Sequence, residues 1–128
     1  MELLPKNIRC LTFWKRSPES VEAIDKLVFS PIGDAFQLQI EQNDTRFRTL
    51  DSNEVLALLS DLVNKYHIQE MPEEYKAFRY EDNQEDFNLK FFLEIDLNDF
   101  TYLAIKGIHP FKQPHYQEII ALFNPFFH

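Results

Sequence analysis

The stretch FQLQIEQNDTRFRTL, residues 36–50, decides the fold. Phe36, Leu38 and Ile40 alternate with polar residues, which is the period of a β-strand that buries one face. The polar residues between them point to the opposite face of the same strand. The stretch therefore predicts a strand with one side in the core and one side facing outward.

The same stretch also predicts a β-hairpin. Both residues of the dipeptide 43–44, Asn-Asp, tolerate the left-handed conformation that a tight turn requires. A two-residue turn at this place sets Glu41 opposite Arg46 and Ile40 opposite Phe47. Acid then meets base and apolar meets apolar across the strands, which favours this register.

A second copy of the phrase, FFLEIDLND, occupies residues 91–99. Treating its Asn-Asp pair as the turn of another hairpin sets Ile95 opposite Tyr102 and Leu93 opposite Ala104. On this reading Phe92, Leu103 and Ile105 give the outer face an apolar character that needs a cover. That cover is the preceding segment, the aromatic C-terminal residues or a second subunit.

Each hairpin is followed by an amphipathic helix. Residues 51–66 begin with Asp51 and Glu54 at the spacing of a capping box, and residues 114–125 lie between two prolines. The unit of two strands and a helix thus occurs twice. Either the unit was duplicated or two amphipathic units converged on similar patterns, and both readings stay open.

The N-terminal part predicts a strand and a helix. Residues 8–16 are rich in β-formers and predict an interior strand. Residues 17–30 begin with Ser17 as a candidate N-cap and Pro18 at the first helical position. Four apolar residues then follow at helical spacing: Val21, Ile24, Leu27 and Val28.

Together these elements predict one α+β domain over residues 1–128. We expect an antiparallel sheet of five to six strands with three helices mainly on one face, in the order βα-ββα-ββα. The first ββα unit covers residues 34–66, an acidic connection covers residues 67–88, and the second unit covers residues 89–125.

Composition excludes several classes of function. The formal net charge of −8 disfavours binding to nucleic acids and to anionic membranes, which both require clustered Lys and Arg. Two glycines are too few for a phosphate-binding loop, and the single Cys10 permits neither an internal disulfide nor a cysteine-based zinc site. We expect no cofactor and no enzymatic activity. The absence of a signal-like apolar run predicts a cytoplasmic protein.

The acidic connection is the main candidate for a binding site. Residues 70–86 hold seven acids against Lys76 and Arg79, interleaved with aromatic residues. Rings that give contact area beside carboxylates that steer a partner are typical of surfaces that bind basic proteins. We predict an immunity-type inhibitor that occupies the basic surface of a toxin such as a nuclease. The predicted partner-binding residues are Glu73, Glu74, Tyr75, Phe78, Tyr80, Glu81, Asp82, Glu85 and Asp86.

Two alternative functions remain. In the first, the protein is a homodimer or larger homo-oligomer whose subunits contact each other through the apolar outer face of the second hairpin. Less favoured is a metal-dependent hydrolase built on His109, His115 and Glu118, although no further ligand cluster supports a metal site. Glu94 and Asp96 are spaced i, i+2 on one strand, and an ordinary half-exposed sheet face explains them better than a catalytic carboxyl pair.

Overall fold

The computed structural model describes residues 2–17, 20–108 and 113–128. The strands in these residues are β1 (Ile8–Ser17), β2 (Ser20–Ile32), β3 (Ala35–Gln42), β4 (Asp44–Asp51), β5 (Leu89–Leu97) and β6 (Tyr102–Ile108). They form one sheet in the order β4-β3-β2-β1-β5-β6, and all five pairings are antiparallel. The predicted α+β class and the upper strand count are confirmed.

Two α-helices lie in the described residues, α1 (Ser52–Ser60) and α2 (Tyr116–Phe123). Asp51 and Glu54 form the predicted capping box at the start of α1, which continues into a π-helical turn at Asp61–Lys65. Apolar residues of both helices pack into the core on the same face of the sheet. No helical segment in the described part of the chain has the length and apolarity needed to cross a bilayer.

The main core fills the space between this sheet face and the helices. Phe13 stacks on Phe123 of α2 with ring centroids 4.0 Å apart, and Phe29 contacts Phe123 edge to face at 6.4 Å. All three rings are buried. Aromatic pairs of this geometry stabilise the folded state by more than the burial of their apolar area alone. Packing in this core therefore accounts for part of the high phenylalanine content. We call the sheet face that carries this core the helix face, and the opposite one the outer face.

The helix predicted for residues 17–30 is wrong, because this part of the chain forms β2. Leu27 and Phe29 pack in the main core, while Lys26, which precedes Leu27, points to the outer face. The apolar residues of this stretch fit both the spacing of a helix and the two-residue period of a strand. The strand forms because β1 and β3 pair with it on either side. Ser17 pairs with Ser20, so a hairpin replaces the predicted N-cap. Pro18 and Glu19 lie outside the described residues.

The register predicted for the first hairpin is wrong by one residue. Of the two predicted turn residues, Asn43 has a left-handed conformation, with φ of 66°, while Asp44 already belongs to β4. Ile40 therefore pairs with Arg46, and Phe47 pairs with Gln39. Arg46 consequently lies on the helix face, where its guanidinium donates to the backbone carbonyl of Phe127. Phe47 lies on the outer face and is 59% exposed.

The register predicted for the second hairpin is also wrong by one residue, in the opposite direction. Its turn is longer than two residues: Phe100 has φ of 68°, and the Asp99 carboxylate accepts a hydrogen bond from the Thr101 N–H at 3.0 Å. Ile95 therefore pairs with Leu103, and Leu93 pairs with Ile105. Leu103 and Ile105 belong to the main core, so the predicted apolar outer face of Phe92, Leu103 and Ile105 does not exist.

The two ββα units lie at the two edges of the sheet. The central hairpin β1-β2 separates β3-β4 from β5-β6, and each unit places its later strand at an edge. The element order is therefore ββ-ββα-ββα rather than βα-ββα-ββα. This layout has the symmetry that a duplication of the ββα unit produces, and the duplication itself stays a prediction.

Candidate functional site

A single segment covers half of the outer face. Residues 76–88, which we call the strap, pass around the edge strand β6: Lys76 forms a β-bridge with Ile105, and the Ala77 N–H donates to the Ala104 carbonyl at 2.9 Å. On the outer face Ala77 packs against a second buried cluster, which contains Trp14 and Phe92. The cover that this half of the sheet requires thus comes from the preceding segment of the same chain.

Arg16 holds the far end of the strap. Its buried guanidinium donates to the backbone carbonyls of Leu89 and Asp86, each at 3.0 Å, and to that of Gln84. The guanidinium carbon also lies 5.2 Å from the Trp14 ring centroid and 5.3 Å from that of Phe87. A buried cation with several acceptors and two aromatic faces fixes the backbone around it.

Two aromatic rings of the strap project into solvent. Phe78 is 77% exposed and Tyr80 is 69% exposed. Their backbone is nevertheless held in place: the Phe78 N–H donates to Glu81 at 2.8 Å, and the Tyr80 N–H donates to Glu94 at 2.6 Å. Tyr80 also adopts a left-handed conformation, with φ of 63°. Two large exposed rings two residues apart, on a backbone that side-chain hydrogen bonds hold in place, form a candidate contact surface.

The predicted partner-binding residues fall into separate places. Tyr75 is buried in the main core, so its ring does not face a partner in this structure. Glu73 and Glu81 are matched by bases, with Glu73 Oε1 3.3 Å from Lys76 Nζ and Glu81 Oε1 3.0 Å from Lys106 Nζ. Five of the others are exposed or half-buried and lie on the strap: Phe78, Tyr80, Asp82, Glu85 and Asp86. Glu74 is exposed but precedes the strap.

A groove runs along the boundary between the strap and the uncovered half of the sheet. Its first pocket has a volume of about 420 Å³, a floor of Cys10, Thr12 and Phe92, and a wall formed by Tyr80 and Asp82. Lys26 joins this pocket to a second one of about 420 Å³ near the first hairpin turn. Five acids and two bases line the two pockets together: Glu41, Asp44, Asp82, Glu94, Asp96, Arg9 and Lys26.

The first pocket contains a buried carboxyl pair. Glu94 is 3% exposed and Asp96 is 5% exposed, so the predicted half-exposed sheet face is wrong. Burial first, and then the hydrogen-bonded Asp96 carboxylate, raise the pKa of Glu94 to about 7, although the Tyr80 N–H opposes the rise. Asp96 Oδ1 lies 3.0 Å from Arg79 Nη2 and 4.0 Å from Arg9 Nη2. Oδ1 is nonetheless buried without a hydrogen bond of good geometry.

Cys10 lies in the same pocket and is a free thiol. Burial raises the pKa of the thiol, and the carboxylates of Asp96 and Glu94 raise it as well. Thr12, whose Oγ1 lies 3.8 Å from Cys10 Sγ, and the Arg9 guanidinium act in the opposite direction. A thiol whose pKa is raised is a poor nucleophile at neutral pH, so this environment does not activate Cys10.

The histidine sites considered for a metal are not assembled in the described residues. His109 lies outside them. His115 precedes α2, where its ring centroid is 5.3 Å from that of Tyr66, and Glu118 is exposed. No group of three potential metal-binding side chains occurs in residues 2–17, 20–108 and 113–128.

Comparison of the chain with protein-family models, with curated proteins and with solved structures gives no match. The function is therefore inferred from the geometry of the outer face alone.

Sequence reasoning identified Tyr80 and Asp82 but missed four residues that build the site: Arg9, Arg16, Glu94 and Asp96. One signal was present, since Glu94 and Asp96 are two acids inside the otherwise apolar run FFLEIDL. Charged residues in such a run are either solvent-exposed or paired in the interior. The missing information was that the strap returns over this face and buries them.

Proposed function

We propose that the protein is an acidic protein-binding module whose binding surface is the strap and the adjoining groove. The partner that fits this surface is a basic protein. The observation that carries the proposal is the exposure of Phe78 and Tyr80 on a backbone that hydrogen bonds to Glu81 of the strap and Glu94 of β5 hold in place. A pre-ordered aromatic surface binds with a smaller loss of conformational entropy than a mobile loop does.

The charges of the strap support a basic partner. Within the described residues no lysine or arginine forms an ion pair with Asp82, Glu85 or Asp86. Carboxylates without a local cation leave a negative potential that attracts a positively charged surface and raises the rate of association. The formal net charge of −8 acts in the same direction at longer range.

In its concrete form the proposal is an immunity-type inhibitor that acts in the cytoplasm. A nuclease toxin needs a positive surface to hold phosphates, and a rigid acidic surface of similar size can occupy it. Phe78 and Tyr80 are then the aromatic anchors, and Asp82, Glu85 and Asp86 are the complementary charges. Tyr75 is part of the core rather than of the contact surface.

The test is a comparison of alanine variants. After affinity capture from the native cell lysate and purification of the captured protein, its dissociation constant is measured for the wild type, Phe78→Ala and Tyr80→Ala. Each anchor is expected to contribute about 2 kcal/mol, so each variant should bind about 30-fold more weakly.

Phe47→Ala is the matched control, because Phe47 is also an exposed ring on the outer face but belongs to β4 rather than to the strap and lines neither groove pocket. Its dissociation constant should equal that of the wild type. Equal affinities for Phe78→Ala, Tyr80→Ala and the wild type would remove the strap from the binding surface. Equal losses in all three variants would show a non-specific effect of surface aromatics.

A further inference from the structure

The strand β4 leaves one edge of the sheet open. At the opposite edge the strap occupies part of β6, where Lys76 forms a β-bridge with Ile105. Within the part of the chain that the structure describes, β4 pairs with β3 alone. Its residues from Asp44 to Thr49 are all exposed. An open edge strand of this kind presents backbone N–H and C=O groups to which another strand can bind.

Geometry limits how a second copy of β4 can pair with the first. In an antiparallel ladder, two facing residues both direct their backbone N–H and C=O groups toward the partner strand, or both direct them away. These directions alternate along a strand, so two identical strands must be related by a two-fold axis through a residue rather than between residues. Within the exposed stretch 44–49, only axes at Arg46 and at Phe47 leave five residues of each strand paired.

The charges of β4 favour the axis at Arg46. In that register Asp44 of each copy faces Arg48 of the other, which gives two opposite-charge pairs. Both side chains are exposed, and neither forms an ion pair within the described residues. The one like-charge pair is Arg46 with its own copy. Its guanidinium already donates to the Phe127 carbonyl on the helix face, which directs it away from a strand that adds at the edge.

The uncharged residues fit the same register. Phe47, which is 59% exposed on the outer face, faces Thr45 of the other copy, and this contact occurs twice in the pair. Pairs of an aromatic and a β-branched residue stabilise neighbouring strands. The axis at Phe47 would instead set Arg46 of each copy opposite Arg48 of the other, and two like-charge pairs destabilise that alternative.

We propose that two copies of this chain pair antiparallel through β4, with the two-fold axis at Arg46, so that one sheet continues across the dimer. The proposal goes beyond the proposed function and does not depend on it, because β4 and the strap lie at opposite edges of the sheet. It also differs from the homo-oligomer predicted from the sequence, which required the second hairpin. A single strand pair is a small interface, so we expect a weak dimer with a dissociation constant of about 100 µM.

Sedimentation velocity of the full chain tests for the dimer directly. The average mass should rise from that of the monomer toward that of the dimer between about 10 µM and about 1 mM. A mass that stays monomeric at the highest concentration would overturn the proposal. Phe47→Ala removes both contacts of the ring with Thr45 and should weaken the dimer several-fold.

Charge reversal tests the register. Asp44→Arg and Arg48→Asp each convert both Asp44–Arg48 contacts into like-charge contacts, so each variant alone should dimerise at least about tenfold more weakly. An equal mixture of the two restores two opposite-charge contacts and should form a heterodimer with about the affinity of the wild type. Glu118→Arg, at an exposed position of α2, changes the net charge by the same amount as Asp44→Arg and should dimerise as the wild type does.

The variants also have outcomes that contradict the proposal. Stronger dimerisation of Arg48→Asp would indicate the axis at Phe47, where this substitution creates opposite-charge contacts with Arg46, and would overturn the register. A dimer that neither reversal weakens would show that β4 is not the interface. So would two reversed variants that unfold in urea at the wild-type midpoint but form no heterodimer when mixed.

These outcomes are separate from those for the basic partner. The strap stays open in a dimer formed through β4, so the expected effects of Phe78→Ala and Tyr80→Ala on partner binding are the same for monomer and dimer. Phe47→Ala keeps its use as a control in that experiment for the same reason. A monomeric protein would therefore remove the dimer and leave the proposed function to its own test.

Discussion

The guanidinium of Arg16 donates to the backbone carbonyl of Asp86 at 3.0 Å, which links the central strand β1 to the end of the strap. The two residues are 70 positions apart in the sequence. The strap contains no regular strand or helix of its own, so its conformation depends on a few such contacts. The stability of the candidate site is therefore concentrated in a small number of side chains.

Arg16→Ala should destabilise the protein strongly. The substitution removes the Arg16 donors to the carbonyls of Gln84, Asp86 and Leu89, of which Asp86 keeps the Leu89 N–H as a donor at 2.9 Å, and it removes the cation that lies over the Trp14 and Phe87 rings. We expect a loss of about 3 kcal/mol in the free energy of unfolding, measured by urea denaturation, with faster amide exchange in the strap.

Arg48→Ala is the control for Arg16→Ala, because Arg48 makes an exposed hydrogen bond of 3.2 Å to the C-terminal His128 carbonyl. It should change the free energy of unfolding by less than about 0.5 kcal/mol. If both variants lost the same stability, Arg16 would have no special part in holding the strap.

The buried carboxyl pair makes stability depend on pH. Glu94 has a pKa of about 7 in the folded protein, above its ordinary value of 4.5, so between these values the unfolded chain binds fewer protons. The free energy of unfolding should therefore fall as pH rises from 4.5 to 7 and then level off, by at most about 3 kcal/mol.

Urea denaturation across this pH range is compared for the wild type and Glu94→Gln. The variant has no group to ionise at this position, so its curve should lack the fall that Glu94 causes. All other ionisable groups are common to both proteins, so their contributions cancel in the difference. A difference that stays constant from pH 4.5 to 7 would show that Glu94 ionises normally in the folded state.

Local patterns were sufficient for much of the architecture. The alternation of Phe36, Leu38 and Ile40 and the capping box at Asp51 and Glu54 each depend on neighbours in the sequence, and both are present in the structure. Strand period and helix capping express the geometry of a single element. Such features can be predicted without knowledge of what the element packs against.

The errors arose where the outcome depends on distant contacts. Leu27 satisfies both a helical stripe and a two-residue period, and its pairing with Phe13 of β1 and Ile40 of β3 decides for the strand. Each hairpin register depended on the conformation of a single turn residue, Asn43 or Phe100. A slip of one residue moves every side chain to the other face.

The candidate site was only partly predictable for the same reason. The acidic and aromatic composition of the strap marked Tyr80 and Asp82 as surface candidates. Glu94 and Asp96 became part of the site only because the strap folds back over β5. Nothing in the run FFLEIDL shows that Tyr80, 14 residues before Glu94, supplies the hydrogen bond that Glu94 accepts.

Gly107 is needed for packing between the sheet and α2. A Cβ at this position would overlap ring atoms of Phe91 and lie 2.8 Å from a ring carbon of Tyr116. Because Phe91 is fully buried, its ring cannot move aside cheaply. Gly107→Ala should therefore lower the free energy of unfolding by about 2–3 kcal/mol, measured by urea denaturation.

Gly33→Ala is the matched control for Gly107→Ala. A Cβ at Gly33 meets no atom within 4 Å, and the cost there comes only from φ of 60°. We expect a loss of about 1 kcal/mol. A loss for Gly107→Ala no larger than that for Gly33→Ala would contradict the tight contact of Gly107 with Phe91.

The Cys10 thiol should be unreactive in the folded protein. Its pKa is raised from an ordinary value of 9.0 by burial and by the carboxylates of Asp96 and Glu94, so the reactive thiolate is scarce at pH 8. Alkylation by iodoacetamide should be at least about tenfold slower in the native protein than in urea.

Asp96→Asn removes one of the two carboxylates and should increase the rate of alkylation in the native protein, whereas Glu118→Gln, distant from the pocket, should not. Both the slow reaction and the raised pKa depend on the strap, which covers this half of the sheet. A rate of alkylation in the native protein equal to that in urea would place Cys10 in open solvent and would contradict its position on the floor of the pocket.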